Sequence, residues 1–269
     1  MINPQNLVNR LTEEFEKIPG IIAFSLVGSQ ARETVYKATE YSDLEAYIIT
    51  TDEAAEQVEQ LLPSLVSQLG TVLFSFKHQI GFVTVYDDLF RLELPVIKQS
   101  QMDSVFSRPK TQVVKVLLDR TNGQLDKILA KRPETFDYKK IFSELVINFW
   151  YWQILGVQYF KKGEYYNTRS VLGIHASALV KLFELLNDPD ILLLETNKRI
   201  EQFLTKEQQT QVRRITPAYD NKQIKVALKE VMEVFTVIAR SVKEKYGYEY
   251  DENLEEKVKP KLLELMNSS

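Results

Sequence analysis

The chain has 269 residues, of which 44% are hydrophobic and 26% are charged, and its net charge is −3. This composition is typical of a globular protein with a sizeable core, and the acidic balance argues against a protein that binds duplex nucleic acid. Because the chain contains no cysteine, disulfides, zinc sites built on thiolates and cysteine nucleophiles are excluded.

The first half of the sequence predicts two helices and several short strands. Asn3 followed by Pro4 predicts the start of the first helix, and Pro19-Gly20 predicts its end. A second helix is predicted over residues 52–69. Short apolar runs predict strands at residues 21–27, 43–50, 71–76, 80–86, 89–96 and 113–119. The link Asp87-Asp88 predicts a hairpin between the fourth and fifth of these strands.

The second half of the sequence has a different character. From Asp137 onward the pattern is long and helical, with a break at Gly163, and the charged link before it contains Pro133. We therefore predict an α+β protein. Its N-terminal domain, residues 1–135, would hold a mixed sheet flanked by helices, and residues 136–269 would form an all-α helical bundle.

The N-terminus has no apolar segment of signal-peptide length. No apolar run approaches the roughly 18 residues of a membrane span. The sequence thus favours a cytoplasmic protein with no membrane partner, as a monomer or a homodimer.

Two charged residues stand out in the second predicted strand. Asp43 and Glu45 are two residues apart in this strand, so their side chains would share one face of the sheet and repel each other. Gly28-Ser29 ends the strand before them, where backbone N–H groups can form a cradle for phosphate. Magnesium is commonly held by one or two carboxylates together with phosphate oxygens, so a metal would cancel the repulsion. The alternative is an edge strand with a solvated polar face.

These motifs carry a resemblance to a known superfamily. The segment LVGSQARETVYKATEYSDLEAY, residues 26–47, resembles the signature of the polymerase-beta-like nucleotidyltransferases. The segments at residues 87–93, 113–125 and 148–172 resemble the lincosamide nucleotidyltransferases and, more distantly, the streptomycin-type aminoglycoside adenylyltransferases.

The resemblance implies transfer of a nucleoside monophosphate from an NTP, with ATP expected, to a hydroxyl of a small acceptor, with release of pyrophosphate. The acceptor would be a lincosamide-like or aminoglycoside antibiotic. Two Mg²⁺ ions would assist the displacement, with Asp43 and Glu45 as their main ligands. Glu93 would be the third carboxylate, either as the general base or as a metal ligand. Without the resemblance, Glu93 reads equally well as half of an Arg–Glu pair on a surface strand.

Four further residues are candidates for nucleotide binding. Gly28 and Ser29 would bind the triphosphate, and Arg32 would neutralise it, although it could equally be a solvated loop arginine. Lys162 could reach the phosphates from the second domain, or it could be a lysine favoured by the helix dipole at a C-terminus.

Two other functions stay open from the sequence. The fold could be a catalytically silent nucleotide-binding or regulatory module, which the presence of all three carboxylates disfavours. The acceptor could also be a protein, whereas the acidic balance disfavours a nucleic acid.

Overall fold

The structure is a computed structural model. It describes residues 2–31, 38–39, 41–78, 81–108, 110, 112–189, 200–216 and 220–268. The chain divides into two compact units, Met1–Phe136 and Asp137–Ser269.

The first unit begins with a helix that starts as its sequence predicts. Asn3 is the N-cap, its side chain accepts a hydrogen bond from the backbone N–H of Asn6, and Pro4 occupies the first turn. Helices and strands then follow in chain order: α1 Pro4–Glu16, β1 Ile21–Val27, β2 Leu44–Thr50, α2 Ala55–Ser67, β3 Val72–His78, β4 Gly81–Tyr86, β5 Arg91–Leu94, β6 Val96–Lys98, α3 Met102–Val105, β7 Lys115–Asp119 and α4 Gln124–Ala130.

In the described part of this unit, seven strands form one mixed sheet in the order β3-β4-β5-β2-β1-β7, and β6 also pairs with β2. β2 runs antiparallel to β1 and parallel to β5 and β6. β4 runs antiparallel to β3 and to β5, so the predicted hairpin is confirmed.

Helices cover the two faces of this sheet. On one face, α1 and α2 contribute Leu11 and Leu62 to a core that includes Ile48 of β2 and Leu92 of β5. On the other face, α3 and α4 pack with β1 and β2 around Ile49. Alternation along β2 therefore points Leu44, Ala46 and Ile48 into the first core and leaves Glu45 on the opposite face.

One predicted strand is wrong in its extent. In place of one strand over residues 89–96, the structure has β5, Arg91–Leu94, and β6, Val96–Lys98, separated by Pro95. Proline has no N–H to donate to a neighbouring strand, although the Pro95 carbonyl accepts a hydrogen bond of 2.9 Å from the N–H of Ile48. Leu89 lies in the hairpin loop with a positive φ of 66°. β5 is therefore short, and its outward side chains are Arg91 and Glu93.

The second unit is helical throughout its described elements. These are α5 Tyr138–Lys161, α6 Tyr165–Asn187, α7 Ile200–Phe203, α8 Lys206–Arg214, α9 Asn221–Tyr246 and α10 Glu252–Asn267. The chain breaks between α5 and α6 at Gly163, where φ is 75°, as predicted. The core contains Phe149 and Trp150 of α5 together with Phe235 of α9. The predicted α+β fold with a mixed sheet and a helical C-terminal part is confirmed.

Within the described residues, α6 is long and apolar enough to cross a membrane by length and composition alone. Half of its most apolar stretch is buried inside the protein, and Val171, Leu172 and Leu179 are among its buried residues. A core helix passes the same test of length and composition.

Helix α6 also buries an acidic residue that should make the stability of this unit depend on pH. Burial raises the pKa of Glu184 to about 7, against the partial opposition of Lys181. The folded state favours protonated Glu184, so the contribution of this residue to the free energy of unfolding is complete below pH 4.5 and is lost as pH rises through 7. As pH rises from 4.5 to 8, the unfolding free energy of the wild type should therefore fall by about 3 kcal/mol relative to that of Glu184→Gln.

Both tryptophans, Trp150 and Trp152, lie in α5, so urea unfolding followed by tryptophan fluorescence reports on this unit. The matched control is Glu164→Gln, which makes the same substitution at an exposed residue. Parallel pH profiles for Glu184→Gln and the wild type would contradict the prediction.

Candidate active site

The turn after β1 forms one side of the candidate site. β1 ends at Val27, and the chain continues into a short 3₁₀ turn, Gly28–Ala31. Gly28 has a φ of 66°, a conformation that glycine adopts without the strain that other residues incur. Ser29 is half-buried in this turn, and Ala31 is buried.

Two of the predicted carboxylates lie side by side across neighbouring strands. β2 and β5 run parallel, and Glu45 pairs directly with Glu93 in their register. Glu45 also pairs with Val27, the last residue of β1. A Cβ added to Gly28 would stand 3.3 Å from Glu45 Oε2. The sheet thus brings Gly28, Glu45 and Glu93 together at one end of three strands.

The third carboxylate, Asp43, does not lie in a strand. β2 begins one residue later, at Leu44, so the predicted strand over residues 43–50 is one residue too long. The reason is that β1 pairs no further than Val27, beyond which Gly28 turns the chain away. Asp43 nevertheless joins the site, because its carboxylate forms an ion pair with Arg91.

Arg91 is the residue that sequence analysis missed as part of the site. Its guanidinium pairs with Asp43 Oδ2 through Nη2, and its Nε lies 2.9 Å from Glu93 Oε1. The side chain of Arg91 is about half exposed, whereas those of Asp43 and Glu93 are 24% and 13% exposed. A cation therefore already stands between two of the three carboxylates.

The donor set fits a hard divalent cation such as Mg²⁺, because it consists of carboxylate oxygens. The presence of the Arg91 guanidinium shows that the corner accepts positive charge. As the side chains stand, no group of three or more His, Cys, Asp or Glu in the described ranges is arranged to hold a metal ion. The residues fit the ion in chemistry, and Arg91 contacts two of its expected ligands.

Lys162 and Arg32 are the remaining predicted site residues. Lys162 is exposed at the C-cap of α5 in the helical unit, with its Nζ 5.9 Å from the centre of the Tyr159 ring. Its predicted contact with phosphate stays a prediction. Arg32 lies outside the described residues.

Comparison with protein families gives a match over nearly the whole chain. The model of the family described as streptomycin adenylyltransferase matches residues 1–264. The chain belongs to this family. Membership in the streptomycin adenylyltransferase family confirms the predicted nucleotidyltransferase and implies a nucleoside triphosphate as co-substrate. A comparison with curated proteins gave no match.

Three solved structures show distant likeness to this member of the streptomycin adenylyltransferase family. An aminoglycoside 6-adenyltransferase from Bacillus subtilis is 13% identical, with all of both chains covered and a TM-score of 0.40. A nucleotidyltransferase-like protein from Exiguobacterium sibiricum is 14% identical, with 90% of this chain and 78% of that chain covered and a TM-score of 0.42. A CCA-adding enzyme is 11% identical, with 100% and 92% covered and a TM-score of 0.34.

Proposed function

We propose that this protein transfers a nucleoside monophosphate from an NTP, with ATP as the donor, to a hydroxyl of a small acceptor. The acceptor class is an aminoglycoside or lincosamide antibiotic. The observation that carries the proposal is the direct pairing of Glu45 with Glu93 on neighbouring parallel strands, beside the Gly28 turn. Membership in the streptomycin adenylyltransferase family supports the reaction class.

The carboxylates would hold Mg²⁺, with Asp43 and Glu45 as the main ligands. When bound, the metal ions supply Lewis-acid stabilisation of the charge that develops on the phosphate oxygens. Glu93 either completes the metal site or accepts the proton of the acceptor hydroxyl. In the second case, the acceptor oxygen forms a bond to the α-phosphorus and its proton passes to a Glu93 carboxylate oxygen. The bond from the α-phosphorus to the bridging oxygen breaks, and pyrophosphate leaves with the electron pair.

Gly28 and Ser29 would bind the triphosphate through the N–H groups of the turn and the serine hydroxyl. Arg32 and Lys162 would add positive charge to the same ligand. A cytoplasmic location and a monomeric or homodimeric state are further proposals from the sequence.

Replacing Gly28 by alanine should weaken NTP binding as well as stability. The positive φ of 66° should cost about 1–2 kcal/mol of unfolding free energy. The added Cβ would also crowd Glu45 Oε2 at 3.3 Å. Gly123→Ala is a matched control, because Gly123 has a φ of 77° with nothing within 4 Å of its added Cβ.

Circular dichroism during urea unfolding measures the stability of both variants, and a fluorescent NTP analogue measures the dissociation constant. We expect both variants to lose stability, Gly28→Ala at least as much as Gly123→Ala, and only Gly28→Ala to bind the NTP analogue more weakly. Equal NTP binding by the two variants would argue against a triphosphate at this turn.

The proposed reaction is tested by pyrophosphate release with each NTP, Mg²⁺, and a panel of streptomycin, other aminoglycosides and lincosamides. We expect release that depends on both the NTP and at least one of these acceptors. Tight binding of Mg-NTP with no release for any acceptor would instead support the catalytically silent module.

A further inference from the structure

Arg91 reaches two carboxylates because of the way β5 lies beside β2. Arg91 and Glu93 are two residues apart on β5, so both side chains project from the same face of the sheet. In the parallel register, Glu93 lies opposite Glu45. Arg91 precedes Glu93 by two residues and Asp43 precedes Glu45 by two residues, so Arg91 lies level with Asp43. The guanidinium pairs with Asp43 and lies 2.9 Å from Glu93 through Nε.

This contact differs from an ordinary surface ion pair. A single exposed pair contributes little to stability, but here one guanidinium spans two carboxylates that are mostly shielded from solvent, at 24% and 13% exposure. Glu45 lies directly beside Glu93 in the register. The negative charges would repel each other without a cation, and the planar fork of arginine suits contact with two carboxylates at once.

We propose that Arg91 is an internal counter-cation that a divalent metal must displace from Asp43 and Glu93. The proposal rests on the proposed function, in which the same carboxylates bind the metal. In the metal-free protein, the guanidinium keeps the carboxylates together. When a metal ion binds, it competes with a charge that is already in place, so the affinity of the free enzyme for divalent cations is lowered. Arg91 is thus a positioning residue for the metal site.

Titration of the full chain with Mn²⁺, followed by electron paramagnetic resonance without nucleotide, tests this competition. Arg91→Met removes the guanidinium and keeps an unbranched apolar stem. Because a neighbouring charge changes the binding of another charge by about 10–1000-fold at short range, Arg91→Met should bind Mn²⁺ at least about tenfold more tightly than the wild type. Arg91→Lys, which keeps the charge and loses the fork, should fall between them.

The matched control is Arg120→Met, in the same unit, where the guanidinium donates a hydrogen bond to the backbone carbonyl of Glu16. Its Mn²⁺ affinity should equal that of the wild type. A second readout is thermal unfolding: without metal, Arg91→Met should unfold at a lower temperature than the wild type, and Mn²⁺ should raise its transition more than that of the wild type.

Unchanged or weaker Mn²⁺ binding by Arg91→Met would overturn the proposal, as would the absence of Mn²⁺ binding in both proteins. Failure of the proposed function gives a different pattern. In that case, Asp43→Asn combined with Glu45→Gln would bind Mn²⁺ as the wild type does, whatever the behaviour of the Arg91 variants.

Discussion

Pyrophosphate release by the double variant Asp43→Asn, Glu45→Gln should be slower than that of the wild type by at least about 10²–10⁴-fold, the range for loss of one general base. Both substitutions keep the size of the side chain and remove its negative charge. Two carboxylate ligands for Mg²⁺ are replaced at once by neutral amides, and Glu93, which pairs with residue 45 in the register of β2 and β5, keeps its carboxylate.

The double variant should still fold. β2 is anchored by the fully buried Leu44, Ala46 and Ile48, none of which changes. Circular dichroism checks this, and Glu134→Gln is the matched control, because Glu134 is exposed in the same unit and its carboxylate pairs with Lys110. Turnover by the double variant close to that of Glu134→Gln would remove these carboxylates from the mechanism.

Glu93→Gln should lower kcat by about 10²–10⁴-fold if Glu93 takes the proton of the acceptor hydroxyl. The glutamine side chain cannot accept that proton, and it also loses the ion pair with Arg91. The strand should persist, since its neighbours Leu92 and Leu94 are fully buried. The measurement is steady-state pyrophosphate release at saturating NTP.

Binding of Mn²⁺ separates the two proposed roles of Glu93. If Glu93 is a general base, the Mn²⁺ affinity of Glu93→Gln should stay near that of the wild type or rise, because Arg91 loses one partner. If Glu93 is a metal ligand, the Mn²⁺ affinity should fall together with kcat. Wild-type turnover by Glu93→Gln would contradict both roles.

Much of the fold follows from local patterns in the sequence. The run Ile21–Val27 is apolar apart from Ser25, as expected for β1, which lies in the interior of the sheet between β2 and β7. In β5, charged and apolar residues alternate in the sequence, and the structure accordingly buries Leu92 and Leu94 while Arg91 and Glu93 share the other face. Asn3-Pro4 and Gly163 mark helix boundaries through local backbone chemistry, which requires no knowledge of distant contacts.

The missed features have both local and distant causes. The split of one predicted strand at Pro95 is local, because proline has no N–H to donate, and β5 and β6 keep the same register against β2 on either side of it. Asp43 falls outside the strand because β1 ends opposite Glu45. The alternation of Arg91 and Glu93 was visible in the sequence, but the contact between Arg91 and Asp43 needs the parallel register of two strands that are far apart in the chain.

A crystal structure of the protein with Mn²⁺ and a non-hydrolysable ATP analogue would locate the metal ion and the triphosphate. We predict anomalous scattering from Mn²⁺ in contact with the carboxylates of Asp43 and Glu45, the triphosphate against the Gly28-Ser29 turn, and the Arg91 guanidinium moved away from Asp43. A metal ion and triphosphate bound elsewhere, with Arg91 still paired to Asp43 and Glu93, would contradict this prediction.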